Sequence, residues 1–225
     1  MSARIERLVT SGTFSLDGGT WEVDNNVWIV GDDSSVIVVD PAHDPAAIAQ
    51  AVGSRTVEAI LLTHGHDDHV RFALEAKAAL GDPPVHLNPE DRVLWDMVHG
   101  TAPDAEVSEG QEFSVGGVRL TALHTPGHSP GSTCFSVSAP VELPADVLPA
   151  GAVNPAPVLL SGDTLFQGGP GATGRSYSSF DTIIESISQR LFTLPEVTVV
   201  LTGHGDATTI GAEKPHLQEW VDRGH

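Results

Sequence analysis

Four residues within one short window have the types and spacing to do metal chemistry. His64, His66, Asp68 and His69 form H-x-H-x-D-H. Imidazole and carboxylate are the ligands suited to Zn²⁺, Fe²⁺ or Mn²⁺. At this composition such a window arises by chance in about one chain in 500. On an extended exit from a strand, residues two apart point the same way, so His64 and His66 can hold one ion together. A turn into a helix then redirects Asp68 and His69 towards a second position. Three later segments add ligands of the same kind: His128 in HTPGHSPGS, Asp163 in LLSGDTLF and His204 in LTGHGD. Five His and two Asp are enough for two ions. Three His with a shared Asp serve one, and two His with two Asp serve the other.

The elements that must position these residues follow from the apolar pattern. Ser35–Asp40 (SVIVVD), Val57–Thr63 (VEAILLT), Val158–Ser161 and Val197–Thr202 read as strands buried on both faces. Asp40, His64, Asp163 and His204 sit at or just past the C-terminal ends of these runs. There a rigid scaffold presents polar groups to a shared cleft. Near the start, Arg7–Phe14, Thr20–Val23 and Val27–Val30 read as short strands separated by Gly/Asp/Asn turns, and Val85–Leu87 as another strand. Helices are expected over Pro45–Val52, Asp68–Leu80, Pro89–Val98, Phe180–Leu191 and Ala212–Val221. From Glu112 to Ser138, strand follows strand. Residues 139–157 hold five Pro and read as a surface loop inserted between two strands. Strand-rich stretches and βα units in both halves predict two packed sheets with helices outside, in a single domain over residues 1–225.

Composition narrows the partners. The chain has 225 residues, of which 30 are acidic and 11 basic, for a formal charge of −19. Such a polyanion repels phosphate backbones and anionic lipid, which excludes nucleic acid and membrane surfaces as natural partners. Cys134 is the only cysteine, so no intramolecular disulfide can form and a cytoplasmic address is expected. The opening MSARIERLVTSG lacks an apolar signal core, and no apolar run approaches the ~18 residues of a membrane span. The oligomeric state is not readable.

Taken together, TH-x-H-x-D-H, HTPGHSPGS, GDTLF and the late GHG resemble the metallo-β-lactamase-fold hydrolases. Within them the match is to the glyoxalase II-like (hydroxyacylglutathione hydrolase-like) group. The resemblance runs from about Ser35 to about Gly211. It implies an α/β fold, the αββα four-layer sandwich, with a dinuclear site on one edge of the sheets. It also implies roles: His64, His66 and His128 for the first ion, Asp68, His69 and His204 for the second, and Asp163 bridging both. Asp40 would support the ligand loop from behind. Arg175 and Tyr177 match positions that bind the thiol part of the substrate.

The departures are informative. Val70-Arg71 stands where family members often have Gly-Gly. Larger glyoxalase II enzymes carry a C-terminal helical domain that grips glutathione. Only 14 residues follow Gly211, so that domain is expected to be missing and the thiol need not be glutathione. Asp163 stands where β-lactamases of this fold often have Cys, which argues against β-lactams. His66 argues against the oxygen-reducing di-iron members.

The expected reaction is hydrolysis of a small acyl-thiol, S-lactoylglutathione-like, by a hydroxide bridging two divalent ions, zinc by expectation with iron or manganese also suited. Asp68 would hold the nucleophile and take its proton. A mononuclear-iron persulfide dioxygenase using His64, His128 and Asp163, or a lactonase, is the alternative on the same fold. Other features are read as structural. Ser129 in GHSPG resembles a serine-hydrolase elbow but belongs to a tight turn presenting His128. Gly169–Ser176 resembles a phosphate loop but reads as a loop lining the cleft. Cys134 reads as a small buried residue. His43, His86, His99, His124, His216 and His225 read as surface or satisfied polar groups, and the four Trp as core or partly buried packing.

Overall fold

The computed structural model describes residues 3–224. Met1, Ser2 and His225 lie outside the described residues. Strands β1 (Arg4–Leu16) and β2 (Gly19–Gly31) form one long antiparallel hairpin, turning at Asp17–Gly18 with left-handed backbone at both. Three short strands were expected here. The ladder instead runs unbroken through Ser11↔Asp24 and Thr10↔Asn25, because the polar residues that mimic turns find partners across the molecule.

The hairpin continues into β3 (Ser35–Val39), β4 (Thr56–Leu61), β5 (Val85–Leu87) and β6 (Ala105–Glu106), making a six-stranded sheet in that order. The second sheet is built from β7 (Glu112–Val115), β8 (Val118–His124), β9 (Thr133–Val137) and β10 (Val158–Gly162). A small hairpin, β11 (Leu165–Phe166) and β12 (Gly169–Pro170), intervenes before β13 (Val199–Thr202) and β14 (Thr208–Thr209) complete it. Its order is β14-β13-β10-β9-β8-β7, with β10 and β13 parallel.

Alternation along the strands builds the layers. Ile37 and Leu61 point between the sheets to meet Leu120, Phe135, Leu160 and Leu201. Their neighbours Val36, Val38 and Ile60 point outwards, against α1 (Pro45–Val52), α3 (Ala73–Ala79) and Trp95 of α4 (Arg92–Trp95). On the second sheet Leu159 and Val200 point outwards, against Ile183 of α5 (Phe180–Ser186), Ile187 and Trp220 of α7 (Leu217–Arg223). Each such buried side chain contributes on the order of 2 kcal/mol. The result is the expected αββα sandwich.

The helices are shorter than the sequence suggests. The one expected over 68–80 breaks at Arg71–Phe72 into α2 (Asp67–Val70) and α3. The break frees α2 to dock on β1, where Asp67 Oδ1 accepts the Ser15 N–H at 2.9 Å. Pro89–Asp91 is a 3₁₀ turn ahead of α4, and α5 ends in a π-helical turn over Ile187–Leu191. Near the C-terminus, α6 (Ile210–Glu213) and α7 are separated at Pro215, which has no N–H to continue a helix.

Residues 139–157 correct the sequence reading more fully. They carry no regular strand or helix and are largely exposed, as a loop between β9 and β10, yet part of the loop turns inward. Val141, Leu143, Val147 and Ala156 are buried in the core between the sheets, and Val141 bridges to Ala156. The Pro residues interrupt secondary structure while the apolar residues between them close the sandwich.

Candidate metal centre

The loops that leave the C-terminal ends of β4, β10 and β13 converge, joined by the β8–β9 turn. His64 follows β4. His66 keeps an extended backbone (φ −64°, ψ 146°) at the mouth of α2, which carries Asp68 and His69. This is the strand-exit geometry the spacing implied. His64 Nε2 lies 3.0 Å from His66 Nδ1. One ligand atom from each of His64, His66 and His128 lies within 4.8 Å of the other two, and the same holds for Asp68, His69 and His204. Asp163 stands between the two groups. Its carboxylate oxygens are 3.6 Å from His128 Nε2, 3.6 Å from His69 Nε2 and 3.3 Å from His204 Nε2. All seven predicted ligands are therefore brought together.

The hydrogen bonds around the cluster decide what it can bind. His128 Nδ1 donates to Ala172 O at 2.9 Å, and His204 Nδ1 donates to Asp24 O at 2.8 Å. A carbonyl can only accept, so each outer nitrogen carries a proton and each Nε2 is turned towards the centre. His69 Nδ1 faces the Asp40 carboxylate at 3.0 Å. Thr63 Oγ1 donates its one proton to Asp40 Oδ2 (2.7 Å), so towards His64 Nδ1 (3.1 Å) it can only accept. Four imidazoles thus turn a ring nitrogen towards one another and towards two carboxylates. His128 Nε2 and Asp163 Oδ1 are buried there with no hydrogen-bond partner. Converging imidazoles and carboxylates of this kind are a ligand set for a divalent cation.

The electrostatics agree. Burial, reinforced by neighbouring imidazoles, holds His64 far below its ordinary pKa and brings His66 down to about 3. Burial also disfavours charge on His69 and His204, but Asp68 and Asp40 around the first and Asp163 and Asp68 around the second outweigh it and raise both. Against their own burial, His69 and His204 hold Asp68 and Asp163 below the usual carboxylate range. The two buried carboxylates demand positive charge at the centre.

Asp40 takes the supporting place expected of it. It is buried with left-handed backbone (φ 51°) and accepts from Thr63 N at 2.8 Å as well as from the Thr63 hydroxyl. Two supports were not singled out from the sequence. Asp91, fully buried, accepts from Gly65 N (2.7 Å), Ser129 Oγ (2.6 Å) and Gly131 N (2.6 Å), so it ties the His64–His66 loop to the His128 turn. Asn25, also fully buried, donates from Nδ2 to Asp68 Oδ2 at 3.0 Å. No local pattern marks either residue, since their partners lie 26 to 43 positions away.

A cleft of about 210 Å³ opens over the cluster, lined by Phe14, Trp21, Val23, Ala172, Arg175 and Ser178 beside His66, Asp68, His128, Asp163 and His204. The Arg175 guanidinium lies 3.8 Å from the Trp21 ring centroid. Trp21 is 41% exposed as a cleft wall, whereas Trp28, Trp95 and Trp220 are core. Tyr177 is not brought to the cleft: it is 46% exposed, and Ser178 lines the wall in its place. The left-handed backbone at Tyr177 (φ 70°) redirects the chain there. Ser129 is buried and bonded to Asp91, as a turn residue behind His128. Cys134 is buried, and burial pushes its thiol up to about 11.

A family model described as the metallo-beta-lactamase superfamily matches residues 20–140. The probable metallo-hydrolase YqgX of Bacillus subtilis (strain 168) is 34% identical over 208 residues, covering 85% of this chain and 90% of that protein. The hydroxyacylglutathione hydrolase GloC of Haemophilus influenzae is 30% identical over 198 residues, covering 81% and 86%. Among solved structures, TTHA1623 in a di-iron-bound form matches with a TM-score of 0.67 and 30% identity, covering 85% of this chain and 93% of that one.

Proposed function

The chain belongs to the metallo-beta-lactamase superfamily, and on that premise we propose that it is a two-metal hydrolase of thioesters of small thiols, S-lactoylglutathione-like in substrate class. The observation that carries this reading is the inward-turned ligand set, with one nitrogen-only group and one mixed carboxylate–imidazole group flanking Asp163. Divalent ions held there, zinc by our reading, would acidify a bound water and polarise an acyl carbonyl. The chain's own groups do the rest. Asp68 orients the attacking water and takes up its proton. Among the described residues, Arg175 is the one Lys or Arg lining the cleft, and it pairs with an anionic group on the thiol. Phe14 and Trp21 give the substrate an apolar wall. The hydrolase name of the Haemophilus relative supports the thioester class, and the di-iron form of TTHA1623 keeps iron in view as the alternative metal.

The substrate in this proposal is a small acyl-thiol in the cytoplasm, with no nucleic acid or membrane partner. No helix among the described residues is long and apolar enough to cross a membrane. The test is thiol release from a panel of small-thiol thioesters by metal-loaded protein, alongside element analysis. Two metal equivalents and brisk thiol release are expected. Lactone opening without thiol release would make the protein a lactonase. One iron with sulfur-dependent oxygen uptake would make it a persulfide dioxygenase.

A further inference from the structure

Three consecutive residues of β2 reach the second ligand group, of which His204 comes from the opposite sheet. Asp24 O accepts the Nδ1 proton of His204 at 2.8 Å. Asn26 donates from its backbone to Gly203 O (2.8 Å) and from its amide to Thr202 O (3.1 Å) and Gly205 O (2.9 Å), which shapes the loop that carries His204. Alternation sends Asn25 to the other face, where it is fully buried against α2. Its Nδ2 lies 3.0 Å from Asp68 Oδ2 and 3.2 Å from His69 Nε2.

The orientation of the Asn25 amide is fixed by chemistry. A carboxylate can only accept, so the NH₂ end faces Asp68 and the oxygen end faces away. That oxygen meets His43 Nε2 at 2.7 Å, and His43 must be the donor. His43 is itself held in place: it is half-buried, with a left-handed backbone (φ 57°) and its ring edge-on to Phe72 at 6.3 Å. A hydrogen-bonded relay, His43 to Asn25 to Asp68, results. One lone pair of Asp68 Oδ2 is committed to Asn25, so the carboxylate is locked in rotation with its remaining lone pair facing His69 and His204.

Among the described residues, neither His43 nor Asn25 hydrogen-bonds to His64, His66 or His128. His64 is oriented by Thr63, and His128 by Ala172 O. We propose that His43 and Asn25 are positioning residues that set the affinity of the second metal position, Asp68–His69–His204, independently of the first. The inference rests on the two-metal reading above. Ligand-orienting groups of this kind change metal affinity by about 10–100-fold.

The experiment is titration of the metal-free full-length chain with Zn²⁺ against a competing chelator, repeated with Co²⁺ to follow its visible absorption. Wild type is expected to take two equivalents. Asn25→Ala keeps the first equivalent at wild-type affinity and weakens the second by about 10–100-fold. His43→Ala weakens the second by less, about 10-fold, and His43→Gln, whose amide reaches Asn25 Oδ1, restores it. A merely structural role for His43 would not be rescued by Gln. If Asn25→Ala loses both equivalents through misfolding, the His43→Ala and His43→Gln pair decides. Unchanged second affinity in His43→Ala, or equal weakening of both equivalents in a folded variant, overturns the inference. Fewer than two equivalents in wild type overturns the two-metal reading instead, and this inference with it.

Discussion

Asp91 carries a prediction that the structure makes quantitative. Its carboxylate collects three short hydrogen bonds, from Gly65 N, Ser129 Oγ and Gly131 N. Asp91→Ala strands two buried backbone N–H groups, while Ser129 keeps Ser132 Oγ at 2.8 Å. Each stranded donor costs about 1–3 kcal/mol, so about 2–6 kcal/mol is lost. Relief of the buried charge offsets part of this and leaves about 3 kcal/mol, or roughly 6–12 °C in Tm for a chain of this size. Collapse into the space is limited, because a Cβ on Gly131 would already lie 2.7 Å from Asp91 N. The assay is thermal unfolding of the metal-free chain followed by circular dichroism, paired with Zn²⁺ affinity. The first equivalent should also weaken, since both of its loops hang on Asp91. A Tm within about 2 °C of wild type would refute the strut.

The Asp91 carboxyl also makes stability depend on pH. Burial raises its pKa above the ordinary 3.8, outweighing the bonds from Ser129, Gly131 and Gly65. The folded chain therefore holds the Asp91 proton more tightly than the unfolded chain does. This group's contribution is greatest below 3.8 and is lost as pH rises through the raised value. The stability margin of wild type over Asp91→Asn should shrink as pH rises through that window, the reverse of an ion-paired carboxylate.

Three other outcomes follow from the geometry. In Gly203→Ala the new Cβ would lie 2.1 Å from Asp163 Oδ1 and 2.9 Å from His69 Cε1, so element analysis should find metal affinity down by about 100-fold in a chain with a wild-type circular dichroism spectrum. Arg175→Ala removes a charge-assisted bond of about 1.5–3 kcal/mol to an anionic thiol, which should raise KM about 10–100-fold with kcat nearly unchanged in steady-state thioester kinetics. Leu143→Ala should cost about 2–4 kcal/mol in denaturant unfolding, because Leu143 is 5% exposed in the core; a true surface loop would lose under about 0.5 kcal/mol.

The parts of the fold legible in the sequence were those where one periodicity ruled. Residues 36–39 and 59–61 are apolar on both faces because both faces are covered, and Pro45–Val52 starts where Asp44 caps Ala47 N at 3.0 Å. Legibility failed where tertiary partners replaced local rules. Asp24–Asn25–Asn26 has the composition of a turn but stays extended, since the amides of Asn25 and Asn26 are satisfied by residues 18 to 179 positions away. Residues 139–157 have loop composition, and their burial depends on the space left between two sheets.

The same division runs through the candidate site. Its candidate ligands were readable because few side chains can ligate a cation, so His64, His66, Asp68, His69, His128, Asp163 and His204 stand out by type, and the fold brings them together. Asp40 was readable by its place at a strand end. Asn25, His43 and Asp91 do not touch a cation position in the first instance; they hold the groups that do. Any residue with a donor or acceptor at the right point in space could serve there, so type carries no signal and only the assembled fold reveals the role. On the two-metal proposal, a chain with all seven candidate ligands intact and these supports changed would keep its motif while losing affinity at the positions they support. Motif identity among relatives of this chain therefore predicts that metal binds, whereas the residues facing Asp68 and the two ligand loops predict how tightly each position is filled.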